Sequence, residues 1–434
     1  MTSPTTILLL GTCDTKLPEL LYTKSAITSS QTFGTIKVLM MDIGHGPSTS
    51  TEVDIKQSDL LSSAAEPQAQ MSTLDRDTYI QTLSTHAASY ISNLHQQGLI
   101  HGILGIGGSC GTSLATTAMR EGLPVGFPKL MVSTMASGDV SPYIGETDIG
   151  MMYSVVDIAG RNRVLEMVLR NAGGAIAGMA TSYHAQLSEF PEGKTGVRIG
   201  ISMFGVTTPA VTVAREHLES ILPGCEVYVF HATGSGGRAM ERLIGEKQLD
   251  AVLDLTTTEM ADEVVGGVLS AGPERLTAAT RRDIPRVVSV GACDMVNFGK
   301  FESIPERFAG DTHTKRKFHR HNPTVSLMRT TGEECAEIAR RIARNISGKA
   351  TAQSGCGKVT KTRVLLPTGG VSMIDVPGQP FWDPETDEVL FKTLEKELQG
   401  TGIEVVRDER EVNDSGFAVR AAEMLRDLIE SCSN

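Results

Sequence analysis

The chain of 434 residues has one tryptophan, and aromatic side chains make up only 5% of it. Its seven cysteines, at 13, 110, 225, 293, 335, 356 and 432, are scattered, odd in number and without a C-x-x-C pair. That usage excludes a disulfide framework and a structural zinc site, and makes a reducing compartment, the cytosol, the expectation. Cys13 and Cys293 follow apolar runs, but a buried, inert thiol is the reading preferred for both. No apolar run approaches the ~18 residues of a membrane span, and the start MTSPTTILLLG lacks a basic n-region and a small-residue cleavage site. Positive charge is short as well: 40 Lys and Arg stand against 51 Asp and Glu, a net charge of −11. This balance speaks against a general nucleic-acid or anionic-membrane surface, so any anion site must be local. The phosphate-binding lysine loop is also missing, since Gly357-Lys358 is followed by Val359 where Ser or Thr is required.

What the chain does have is glycine at the ends of apolar runs. In GILGIGGSCGTS, residues 102–113, a strand-like run of Ile103, Leu104 and Ile106 enters a turn with Gly107, Gly108 and Gly111 and then a helix-compatible segment. A strand, a glycine turn and a helix N-terminus point unpaired N–H groups at one spot, where the helix dipole favours an anion such as phosphate. A plain connecting turn is the bland alternative.

The length exceeds what one core sustains, so two domains are expected. Strand-like runs at 7–10, 36–42, 103–106 and 130–134 alternate with helical segments, among them one with Ile80, Leu83, Ala87, Ile91 and Leu94 at helical spacing. After a polar stretch, 186–195, assigned as linker, the order begins again with runs at 197–203, 227–231, 251–255 and 286–290, followed by 364–366 and 403–406. The expected fold is therefore α/β, two tandem Rossmann-like domains (1–185 and 196–434) with mainly parallel, doubly wound sheets. In such sheets ligands bind at the C-terminal ends of the strands.

Small and hydroxyl-bearing residues gather at those expected ends in the second half. Thr207, Thr208, Gly234, Ser235, Gly236, Gly237, Thr256, Thr257, Gly369 and Gly370, with Arg329 as an anion clamp, are candidate contacts for a small anionic substrate. His231, Glu259, Asp294 and His321 are the candidate catalytic groups, able in principle to form an acid/base or metal site with His319. Gly234-x-Gly236-x-x-Ala239, with Asp254 downstream, also satisfies a dinucleotide pattern and keeps an NAD(P)-dependent oxidoreductase as a rival reading. Thr331 with Glu334 three residues on predicts a capping box and a helix start.

GTCDTK (11–16), GIGGSCGTSLAT (105–116), PKLMVSTMASGDVSPYIGETDI (128–149), HATGSGGRAME (231–241), LDLTTTE (253–259), GACDMVNFG (291–299), HNPTVSLMRTT (321–331) and GGVSMID (369–375) resemble the family of the ATP-binding region of the tomato mosaic virus resistance protein and its bacterial and fungal relatives. That resemblance implies two Rossmann-like domains, a homodimer, and ATP with Mg2+. It implies phosphate contacts from Gly107, Gly108, Ser109, Gly111 and Thr112, phosphate or magnesium contacts from Gly11, Asp14, Thr15 and Lys16 with Asp14 as metal ligand, and nucleoside contacts from Thr134, Ala136 and Ser137. Plant members also carry a barrel domain and bind a viral replication protein, properties not carried over to this sequence. A non-catalytic interaction protein holding ATP structurally is the third reading.

Overall fold

Ile7, Leu8, Leu9 and Leu10 have no solvent exposure, as a strand covered by helices on both faces requires. They form the middle of β1 (Thr5–Gly11), an inner strand of a five-stranded sheet in the computed structural model, which describes residues 4–29, 34–46, 48–62, 74–189, 196–309, 316–348 and 360–433. Around β1 lie β2 (Ile36–Asp42), β3 (Gly102–Gly107), β4 (Lys129–Ser133) and β5 (Gly150–Tyr153), all parallel, in the order β2-β1-β3-β4-β5. Leu20 and Ile27 of the helix Cys13–Thr28 and Leu165, Leu169 and Ile176 of the helix Arg163–Glu189 cover one face. On the other, Leu83, Ala87 and Ile91 of Arg76–Gln96 pack beside Leu114 and Ala118 of Ser109–Gly122.

These elements make one compact unit, Met1–Gly193, and Lys194–Asn434 make the other. The helix Arg163–Glu189 runs through residues 186–189, so the start of the assigned linker is helical, while 190–195 fall outside the described residues. Gly357-Lys358 lies outside them too.

The second unit carries six parallel strands, β6 (Arg198–Met203), β7 (Glu226–His231), β8 (Ala251–Thr256), β9 (Arg286–Gly291), β13 (Thr362–Pro367) and β14 (Glu404–Asp408), in the order β14-β13-β9-β8-β6-β7. Thr208–Ile221 and Ser415–Ser433 cover one face, and Gly332–Ser347 with Pro384–Leu398 the other. Thr331 caps Gly332–Ser347 by accepting the Glu334 N–H, and Glu334 answers by accepting the Thr331 N–H at 2.8 Å, the box its spacing predicts. Beyond β9 stands a small antiparallel sheet of β10 (Met295–Phe298), β12 (Val325–Arg329) and β11 (Phe318–Asn322). The fold is thus α/β with two Rossmann-like units.

Candidate functional site

In the first sheet the chain turns one way from β1 to β2 and the other way from β1 to β3, so a crevice opens at the C-terminal ends of β1 and β3. The helix Ser109–Gly122 starts there behind Gly108 with no side-chain cap, and the first N–H groups of a helix have no partner within it. Gly107 makes the turn possible: a Cβ there would stand 2.9 Å from the carbonyl carbon of Gly111. A cavity of about 470 Å³ sits at this point, and its polar lining residues are Thr12, Asp14, Thr15, His45, Arg76, Cys110 and Gly111. Ile43, Leu74, Tyr79, Ile80 and Leu114 complete the lining. The Nε of Arg76 donates to the Cys110 sulfur at 2.9 Å, which sets an exposed guanidinium beside the helix N-terminus. Arg76 is held there because Asp75 caps its helix, accepting from the N–H groups of Asp77 and Thr78.

The rim is fixed by buried polar groups. Asp42, at the end of β2, accepts the N–H of Cys13 at 3.0 Å and of Gly44 at 2.8 Å through one oxygen, and of Ser48 at 3.3 Å through the other. The Tyr79 hydroxyl and the Gln57 amide both donate to the Gly44 carbonyl, at 2.6 and 2.9 Å. Burial drives the Tyr79 phenol far above its ordinary range, so it stays a donor. Asp14 accepts the Gly46 N–H at 2.9 Å through Oδ2, and among the described residues its Oδ1 takes no hydrogen bond. Cys13 is buried, and burial together with Asp42 pushes its thiol far upward, so it is an inert side chain.

Of the residues expected to hold a nucleotide, Asp14, Thr15 and Gly111 line the cavity; Gly108 and Ser109 head the helix beside it. Lys16 does not reach in, because its ammonium donates to the Ile158 carbonyl. The Thr112 hydroxyl is buried against the Ser133 hydroxyl at 2.6 Å, and Gly11 makes room for Leu20, whose Cδ2 would lie 2.7 Å from an added Cβ. Thr134, Ala136 and Ser137 form a short 3-10 turn after β4, outside the cavity lining. His45, Arg76 and Tyr79, which line it, are the residues that sequence reasoning missed.

The second unit departs from expectation. The glycine loop after β7 is filled by the protein's own anion: Glu259 accepts the N–H of Gly234 at 2.7 Å and of Gly237 at 3.0 Å. Its other oxygen takes the Nε of Arg275 at 2.7 Å, and Arg275 also donates to Glu241 at 3.0 Å and to Asp254 at 2.5 Å. A Cβ on Gly237 would collide with the Glu259 carboxylate, and one on Gly236 with the His231 carbonyl. Glu259 is thus committed to holding the glycine loop and Arg275, in place of the open acid/base position expected of it, and Gly234, Gly236 and Gly237 pack around it. Ser235 begins the helix that follows. Asp254, engaged by Arg275, is not available to a ribose, which removes the basis of the dinucleotide pattern.

Most of the remaining candidates are likewise engaged inside the protein, whereas Thr208, His231 and His321 are exposed. Thr207 and Thr256 share a hydrogen bond at 2.7 Å, Thr257 donates to the Ser289 carbonyl at 2.9 Å, and all three are buried. Thr208 is exposed and donates to the carbonyls of Phe204 and Gly205. Gly369 packs 2.7 Å from the Glu409 carbonyl oxygen, measured from an added Cβ, and Gly370 needs its positive φ of 136°. Arg329 is buried and clamps Asp387 at 2.5 Å, so it is not an open anion clamp. Asp294 is buried and accepts from Ser372 at 2.8 Å. His231 is exposed on the edge strand β7, and His319 and His321 lie 6.4 Å apart between ring centres on β11. Among the described residues no group of three or more His, Cys, Asp or Glu has the arrangement of a metal site. None of the described helices is long and apolar enough to cross a membrane.

Two family models cover the chain, the N-terminal domain of uncharacterised protein family UPF0261 over residues 5–185 and its C-terminal domain over 196–429. A UPF0261 protein of Clostridium tetani is 41% identical over 98% of this chain and 99% of its own length. The ToMV resistance protein Tm-1(GCR237) of Solanum lycopersicum is 38% identical over 94% of this chain, which spans 54% of that longer protein. The S. aureus MnaA–UDP co-structure overlaps 65% of the chain at 10% identity with a TM-score of 0.18, too low to carry an argument. With both domain models matched in order over nearly its whole length, the chain belongs to the uncharacterised protein family UPF0261.

Proposed function

We propose that the first unit binds a nucleoside triphosphate, ATP with magnesium, in the cavity at the ends of β1 and β3. The observation that carries this reading is an uncapped helix N-terminus and an exposed Arg76 at a cavity that apolar side chains also line. Phosphates suit the helix N-terminus and Arg76, where backbone N–H groups and a guanidinium meet a negative charge. A nucleoside suits the apolar lining residues Ile43, Leu74, Tyr79, Ile80 and Leu114. The residues also fit magnesium, which binds through one or two carboxylates plus phosphate oxygens and water. Asp14, which lines the cavity and has one oxygen without a hydrogen bond among the described residues, is the carboxylate that would hold it. Magnesium there would offset phosphate charge, while the chain's own groups bind and orient the nucleotide. The glycine loop of the second unit is not part of this reading, since it already surrounds Glu259.

The test is isothermal titration of the full chain with Mg-ATP. Gly111→Leu fills the cavity without a backbone clash, because the nearest atom to an added Cβ is Thr12 Cγ2 at 3.8 Å. Wild type is expected to bind, Gly111→Leu to show no heat, and Arg76→Ala to bind about tenfold or more weakly, the worth of one charge-assisted hydrogen bond. No heat from wild type, or unchanged binding by Gly111→Leu, overturns the reading.

A further inference from the structure

The second sheet has its own crevice, between the ends of β6 and β8, and the chain fills it. Residues 371–382, which follow β13, cross that edge of the sheet: the Met373 N–H donates to the Val206 carbonyl at 3.0 Å, and the Ala292 N–H to the Val371 carbonyl at 2.8 Å. Val206 lies just after β6 and Ala292 just after β9. Ile374 and Phe381 bury themselves with Val206, Ala292, Met295 and Leu327, while residues 377–380 between them are exposed.

What fastens this segment is a buried charge cluster with too few cations. Among the described residues Arg329 is the one guanidinium in it, 2.5 Å from Asp387 and 3.7 Å from Asp375, and it also donates to the Phe381 carbonyl at 2.9 Å. Asp294 sits in the turn after β9 and accepts from Ser372, and Asp387 sits on the helix Pro384–Leu398. Of the three carboxylates only Asp375 rides on the crossing segment. One oxygen of each, Oδ1 of Asp294, Oδ1 of Asp375 and Oδ2 of Asp387, is buried and accepts from no N–H or hydroxyl among the described residues, and the Asp375 and Asp387 carboxyls lie within hydrogen-bonding range of each other. A single cation cannot balance three buried carboxylates, and an uncompensated buried charge is strongly unfavourable, so protons must stay in the cluster.

We propose that residues 371–382 are a retractable plug in the crevice of the second unit, and that a proton kept among Asp294, Asp375 and Asp387 is its catch. Burial first, then repulsion from Asp294 and Asp387, raises Asp375 well above the usual carboxylate range, and burial raises Asp294 as well. The other ionisable groups nearby do not replace that proton. Asp383 caps the neighbouring helix with Lys317 at 3.7 Å, and burial keeps the thiols of Cys293 and Cys335 protonated. Loss of the proton leaves Asp375 negative against two carboxylates that belong to the body of the unit. Retraction carries that charge to water and exposes the crevice walls at Val206, Ala292 and Leu327.

The test is hydrogen exchange of the full chain, read by mass spectrometry across about pH 6 to about pH 10 and corrected for intrinsic rates, a range that lies above the ordinary carboxylate pKa. Amides of residues 371–375 are expected to lose protection by about tenfold or more at the higher pH, a tenfold change being one pKa unit of coupling. Asp375→Asn is expected to abolish that loss, and Asp387→Asn serves the same purpose should the first variant not fold. Unchanged protection in wild type, the same loss in the folded variant, or simultaneous loss of protection in β8 would overturn the proposal.

Discussion

Arg275 and Glu259 meet at 2.7 Å with no solvent exposure on either side chain, and the opposite oxygen of that carboxylate holds the glycine loop after β7. The pair therefore joins two things usually separate, a buried ion pair and a helix N-terminus. Removing one partner of a buried pair leaves the other uncompensated. Glu259→Gln is expected to lower stability by about 3 kcal/mol, seen as a reduced denaturation midpoint in urea. A midpoint shift of under roughly 1 kcal/mol would show that the loop does not depend on the charge.

Glycines in the second unit separate by what surrounds them. A Cβ on Gly237 meets the Glu259 carboxylate, whereas a Cβ on Gly205 meets nothing within 4 Å. Gly237→Ala is expected to destabilise by about 2 kcal/mol or more through overpacking. Gly205→Ala should stay within about 0.5 kcal/mol of wild type. Equal thermal melting of the two variants would contradict this assignment.

His101 is buried, stacks on His184 with ring centres 3.8 Å apart, and accepts the Thr6 N–H at its Nδ1. Burial, then the neighbouring His184, holds His101 down to about 4 from an ordinary 6.5. Above the ordinary value both folded and unfolded chains carry a neutral ring, so the contribution is fully present. Between 6.5 and about 4 the unfolded chain takes a proton that the folded one refuses, and stability falls as pH falls. The loss amounts to roughly 3 kcal/mol at most, and urea midpoints of His101→Gln should depend less on pH across that interval than those of wild type. Parallel pH profiles would remove the effect.

At the first-unit cavity the two charged residues near β1 should behave differently. Asp14 has an unengaged oxygen there, while Lys16 is occupied by the Ile158 carbonyl. Asp14→Asn is expected to erase the magnesium dependence of ATP affinity, and Lys16→Met to change affinity by less than about threefold. Titrations with and without magnesium distinguish these outcomes, and retained magnesium dependence in Asp14→Asn would rule out its role as ligand.

The strands were legible because their apolar runs are short and bounded by glycine. Ile103, Leu104 and Ile106, or Val252, Leu253 and Leu255, leave little choice in a chain this long. The glycine turn at 107–111 was legible for the same reason. Its companion at 234–237 has similar composition but a different role, because the partner that fills it, Glu259, lies 25 residues away along the chain. No local pattern carries that information. Arg275 sits outside any helix or strand, and its three carboxylates come from three separate elements. Arg76 was missed since no local pattern points its helix at the glycine turn; only the fold brings it to Cys110, 34 residues on. An acidic N-cap followed by Arg76 was the one local hint.

The loop around Glu259 also sets how many guests the molecule can take. A helix end neutralised from within has no vacancy for a polyanion, so under the proposed reading the loop after β7 offers no second place for a nucleotide. A titration to saturation should therefore end at a single equivalent of nucleotide per chain, and an endpoint of two would require Glu259 to leave its seat.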